Sequence, residues 1–158
     1  MDAPIGNYFA ALPVRGGRPL LEAIRDDAPQ GLRWFHPDDL HLTLAFFGRE
    51  IPDRIPALHE VLGHIPFAEC EVTLGDLQPL PRRRRFSVLA FALRHGHDDL
   101  ADLIASWRGP LCEAAGVDPD QRPPRPHVSI ARLQRRHARP PSILRWLDQL
   151  PIPTDKPL

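Results

Sequence analysis

The sequence predicts an α+β domain of two pseudo-symmetric lobes. Strand-like stretches alternate with helix-like ones along most of the chain. Two of the strand-like stretches repeat one pattern: Asp39-Leu40-His41-Leu42-Thr43-Leu44-Ala45-Phe46-Phe47-Gly48 and Pro126-His127-Val128-Ser129-Ile130-Ala131-Arg132-Leu133. With 158 residues, 42% of them hydrophobic and 25% charged, the chain has the size and composition of one soluble globular domain with a real core, spanning 1–158.

The elements read as follows. Residues 7–14 form a first strand, ended by the turn Gly16-Gly17. Pro19 suits the first turn of a helix over 18–27, with Leu20, Leu21 and Ile24 on one side. Phe9 has two readings, a core residue or a base-stacking platform beside His41. His36 precedes a proline and sits in an extended lead-in to the first motif. A second helix covers 53–63, with Leu58, Val61 and Leu62 inward, while His59 and His64 are solvated. Residues 67–74 alternate as a strand with one wet face, and Pro79-Leu80-Pro81 is expected to break the chain. The run Arg82-Arg83-Arg84-Arg85 is either a solvated loop or an electrostatic guide for phosphates. A more buried strand follows over 86–93. Asp98 or Asp99 caps a helix over 98–115 that Gly109-Pro110 should kink or interrupt, and Gly116 ends it. The stiff Arg122-Pro123-Pro124-Arg125-Pro126 delivers His127 into its strand, and a last short helix covers 141–149.

Several function classes are excluded or disfavoured. No apolar run is long enough to span a membrane. Met1-Asp2-Ala3-Pro4 has no basic region followed by an apolar one, so no secretory signal is expected. Cys70 and Cys112 fit neither a metal spacing nor a disulfide framework, which points to reduced thiols and a cytoplasmic protein. His95-Gly96-His97 lacks the further ligands a metal site requires. The net charge is zero, yet it is unevenly spread: residues 1–77 carry 6 Arg against 12 acids, and residues 78–148 carry 13 Arg against 7. One half is therefore suited to a polyanion.

The repeated motif carries the chemistry. Side chains two apart in a strand share a face. His41 and Thr43 thus share one face with Leu42 and Leu44 behind them, and His127 and Ser129 share one with Val128 and Ile130 behind. Two imidazoles suit acid–base cleavage of a phosphodiester, since both protonation states coexist near neutral pH. Two hydroxyls suit the non-bridging phosphate oxygens, where charge grows in the transition state.

On these residues the chain resembles the 2H phosphoesterases, and within them the bacterial and archaeal RNA 2',3'-cyclic phosphodiesterases, also called 2'-5' RNA ligases. The second hydroxyl is Ser129, where that family usually has Thr. The resemblance, covering residue 7 to about 133, implies two mainly antiparallel sheets facing across a central groove with helices outside. It implies hydrolysis of RNA 2',3'-cyclic phosphate ends, on substrates such as tRNA fragments, to 2'-phosphates, with 2'-5' ligation without ATP as the reverse reaction. It casts His41 as proton donor and His127 as proton acceptor, roles the residues themselves do not distinguish. Thr43, Ser129 and Arg132 become phosphate-binding, and no metal or nucleotide cofactor is implied. Strand alternation alone puts Arg132 on the face opposite His127, so its role requires a bend or bulge after Ala131. Relatives usually continue with about two further strands beyond the stretch that matches here. The alternative readings are a phosphodiesterase acting on small cyclic nucleotides, ADP-ribose cyclic phosphate or 2'-5' oligonucleotides, and an RNA-binding module without turnover.

Overall fold

The computed structural model describes residues 6–49, 51–66 and 68–150. The expected α+β class holds. The strands are β1 (Tyr8–Pro13), β2 (Leu32–Trp34), β3 (His41–Gly48), β4 (Thr73–Arg82), β5 (Arg85–His95) and β6 (His127–Leu133), and the α-helices are α1 (Arg18–Arg25), α2 (Ile55–Gly63), α3 (His97–Ala115) and α4 (Pro140–Gln149). The chain divides into two compact units, one of residues 1–12, 43–70 and 97–126, the other of 13–42, 71–96 and 127–158. Each unit gathers three separate stretches, so the units do not follow the chain's halves. The boundary falls inside β3, between Leu42 and Thr43.

In the second unit β6 is central. It pairs antiparallel with β5 on one edge; on the other it pairs antiparallel first with the start of β3 and then with β2. β4 lies outside β5, also antiparallel. Leu42, Leu89, Phe91, Val128 and Ile130 form the buried face, at 0–3% exposure. Leu20 and Leu21 of α1 meet Leu40, Phe91, Val128 and Ile130 on that face. Burying each such side chain is worth about 1.5–3 kcal/mol. Helix α4 buries Ile143 and Leu147, and its Trp146 stands edge-on to Trp34 with ring centroids 6.3 Å apart. Gly31, at φ +95°, lies against the backbone of Ala138, where a Cβ would collide, and its carbonyl accepts a 2.8 Å bond from the Gln134 N–H. This ties the exit of β6 to the entry of β2.

In the first unit β1 lies beside β3, and α2 packs on α3. Helix α3 ends as the sequence predicts: Gly116 has φ +72°, and the Val117 N–H donates to the Cys112 carbonyl at 2.9 Å. Burial pushes the Cys112 thiol above its ordinary pKa, as expected of a structural cysteine.

Four expectations need correction. Strand β4 begins at Thr73 and runs straight through Pro79-Leu80-Pro81, with a cis Leu80–Pro81 bond. It is tolerated because β4 is the outermost strand, where a missing N–H costs least. Phe67, the expected start of that strand, lies outside the described residues. Helix α3 is not interrupted by Pro110, whose exposed ring leaves Leu111 and Cys112 anchored in the core at 0% and 1% exposure. Asp98 and Asp99 lie inside its first turn, where carboxylates oppose the positive helix end, rather than at the cap. Leu62 is 37% exposed instead of inward. The arginine run forms the tight turn joining β4 to β5, with Arg82 paired to Arg85. Strand β2 has no counterpart in the sequence reading.

Candidate active site

The register of β3 on β6 sets Leu42 opposite Val128. In an antiparallel pair that places His41 across from Ser129. Leu42 and Val128 are buried, at 3% and 1% exposure, so His41 and Ser129 project from the opposite face. His127 lies two residues from Ser129 on the same side of β6, and both are half-buried. Thr43 continues β3 on the side of His41 and is also half-buried. The two histidines thus come to one face of adjacent strands. Neighbouring β5 offers only small side chains there: Ala92 opposite His127 and Ala90 opposite Ser129.

The His41 ring is oriented locally. Its Nδ1 lies 2.7 Å from the Asp39 carbonyl oxygen, which can only accept, so Nδ1 carries the hydrogen. The 3-10 turn Pro37–Asp39 supplies that carbonyl. His36, extended as expected, caps the turn: its Nδ1 accepts from the Asp38 N–H at 3.3 Å.

Arg132 reaches the histidine face because β6 is bulged. Ala90 pairs with Ser129 but Leu89 pairs with Ala131, leaving Ile130 as the extra residue. The alternation therefore slips by one before Ala131, rather than after it. Val88, opposite Arg132, shares a face of β5 with Ala90 and Ala92, so exposed Arg132 shares the face of His127 and Ser129. Its guanidinium lies 5.8 Å from the centroid of the Phe35 ring. Phe35, only a lead-in residue in the sequence reading, comes into place because its N–H donates to the Ile130 carbonyl at 2.9 Å. Its neighbourhood depends on the β2–β6 pairing, which no local pattern reveals.

The charge asymmetry also resolves. Among the described residues, the unit holding His41 and His127 carries fourteen basic against eight acidic side chains, net +6, and the other carries five against nine, net −4. Among the described residues no group of three or more His, Cys, Asp or Glu is gathered as a metal ion would need.

This fold and motif geometry have known counterparts. The family described as LigT like Phosphoesterase matches residues 12–89, a span that includes the first histidine motif. Over that span the chain is similar to the LigT-like phosphoesterases. It is 27% identical over 134 residues to an RNA 2',3'-cyclic phosphodiesterase of Bacillus subtilis, covering 80% of this chain and 70% of that relative. An RNA 2',3'-cyclic phosphodiesterase of Geobacillus stearothermophilus is 28% identical over 137 residues, 80% of this chain and 41% of that longer relative. The crystal structure of E. coli LigT without ligand superimposes with a TM-score of 0.61 at 25% identity, over 81% of this chain and 72% of that one. These alignments extend the likeness well beyond the stretch that the family description matches.

Proposed function

We propose that this protein is a LigT-like phosphoesterase that hydrolyses RNA 2',3'-cyclic phosphate ends, tRNA fragments among them, to 2'-phosphates. The observation that supports this most directly is the pair of histidines on one face of β3 and β6, with His41 opposite Ser129. The net charge of +6 on that unit suits a polyanionic substrate. The related bacterial proteins act, by their names, on the same class of bond.

In the proposed reaction His127 takes a proton from water, and the resulting hydroxide attacks the cyclic phosphorus. The P–O3' bond breaks while P–O2' is kept. His41 delivers a proton from Nε2 to the departing O3', giving a 2'-phosphate and a free 3'-hydroxyl. The Asp39 carbonyl accepts from Nδ1–H in both protonation states, so the ring holds its aim through the cycle. Thr43 and Ser129 donate hydrogen bonds to the non-bridging oxygens. Arg132 neutralises the phosphate, and its fork is steadied by the Phe35 ring. With an RNA 5'-hydroxyl as nucleophile, the reverse reaction forms a 2'-5' linkage without ATP.

The test is turnover of 2',3'-cyclic AMP and a cyclic-phosphate-ended oligonucleotide in EDTA, with the product identified as 2'- or 3'-phosphate. A 2'-phosphate made by the wild type and not by His41→Ala or His127→Ala supports the reading. A folded wild type that binds RNA without turnover overturns it in favour of a binding role.

A further inference from the structure

A pair of arginines also stands on the histidine face. The register of β2 on β6 sets Arg33 directly opposite Arg132. Both are exposed. Like charges directly opposite in an antiparallel pair repel and destabilise the sheet. Three acids of the same unit are engaged with other arginines: Asp38 and Glu22 face Arg18 at 3.1 and 3.8 Å, and Asp148 faces Arg83 at 2.6 Å. Among the described residues no carboxylate pairs with Arg33 or Arg132. The Phe35 ring stands beside Arg132, 5.8 Å from its guanidinium.

We infer that Arg33 and Arg132 together form a phosphate fork extending the active site along the RNA strand. Arg132 serves the reacting cyclic phosphate, and Arg33 takes the internucleotide phosphate immediately 5' to it. This rests on the hydrolytic reading above. The spacing is suitable. Measured along β5, Ser129 lies opposite Ala90 and Arg132 opposite Val88, two residues apart. At roughly 3.4 Å per residue this is about 7 Å. Arg33 lies one strand farther out, about 4.8 Å from β6. Moving outward, the substrate meets the histidines and Ser129, then Arg132, then Arg33. Two guanidinium forks side by side match two phosphates side by side, each able to take bidentate bonds. A mononucleotide 2',3'-cyclic phosphate has nothing to place at Arg33. The enzyme is thereby biased toward RNA ends over free cyclic nucleotides.

The bulge at Ile130 makes this arrangement possible. In an unbulged β6, Arg132 would point into the apolar face, and Arg33 would have no neighbour to complete the fork.

The deciding experiment compares wild type with Arg33→Gln on two substrates: 2',3'-cyclic AMP, and the dinucleotide UpA ending in a 2',3'-cyclic phosphate. The quantity read is the ratio of kcat/KM for the dinucleotide to that for the mononucleotide. The inference expects this ratio to fall about tenfold in Arg33→Gln, mostly through KM, with partial recovery in Arg33→Lys. It also expects the salt dependence of dinucleotide KM to weaken by about one ion. Thermal stability without ligand should hold or rise in Arg33→Gln, because a repulsion has been removed. An unchanged ratio, or equal losses on both substrates, overturns the inference. Binding of the 2'-phosphate-ended dinucleotide and of 2'-AMP is measured in parallel. If wild type shows no turnover but prefers the dinucleotide in an Arg33-dependent way, the fork stands and the hydrolytic reading fails. If neither turnover nor preference appears, both fail.

Discussion

Strands β3 and β6 follow one burial sequence for six residues. From His41 to Phe46, and again from His127 to Arg132, the order is half-buried, buried, half-buried, buried, buried, exposed. The apolar members fix the backbone in both copies. The consecutive buried pairs, Leu44-Ala45 and Ile130-Ala131, fall at the same place. The copies differ at the sixth position, where one presents Phe46, 57% exposed, and the other Arg132. They differ also in how the chain arrives. His41 follows a 3-10 turn and takes its ring bond from Asp39. His127 follows an irregular loop pinned by Arg108, whose Nη1 donates to the carbonyls of Asp120 and Arg122, each at 2.8 Å. The packing requirement is thus repeated, while the exposed chemistry has diverged.

The largest test of this divergence is catalytic. His41→Ala and His127→Ala should each lower kcat by about 10²–10⁴. Their pH profiles should differ: loss of the acid His41 should remove the alkaline limb, and loss of the base His127 the acidic limb. A substrate whose leaving group needs no proton should rescue only His41→Ala. Rescue of both, or of neither, would reduce the copies to equal partners without assigned roles.

The shared packing is broken next. Leu42→Ala should cost about 2–5 kcal/mol in denaturant unfolding, and Ile130→Val, at the bulge, about 0.5–1.5 kcal/mol. If Leu42→Ala proves neutral, the buried side of the pairing is not what holds β3 on β6.

The hydroxyls sharpen the comparison further. Thr43→Val and Ser129→Ala should each lower kcat by about 10², with little change in stability, if both donate to developing charge. A loss confined to one would show that the copies share shape but not function.

The smallest effect lies in the loop before β6. Hydrogen bonds from Arg122 hold the Asp120 carboxyl well below the ordinary carboxylate pKa. A depressed folded pKa contributes stability above the unfolded value, and that contribution is lost as pH falls through the folded value. The difference in thermal midpoint between wild type and Asp120→Asn should therefore be fully present at neutral pH and shrink below about pH 4. Both groups are largely exposed, so the difference should be slight throughout and weaken with salt. A gap that grows toward acid would exclude this ion pair as its cause.

The sequence by itself determined the two histidine strands, the four helices within a few residues, and the faces carrying His41, Thr43, His127 and Ser129. These depend on periodicity and on chemistry two residues apart, both of which are local. The tertiary structure decided what depends on pairing between distant segments. It brought His41 opposite Ser129 and made β2 a strand, since three residues, Leu32–Trp34, are too few to show alternation and form a strand only because β6 offers them an edge. It let β4 pass through its prolines, because only an outermost strand can spare the N–H. It also turned Arg132 to the active face. The apolar pair Ile130-Ala131 hides the slip in phase from any sequence pattern, and only the register against β5 reveals it.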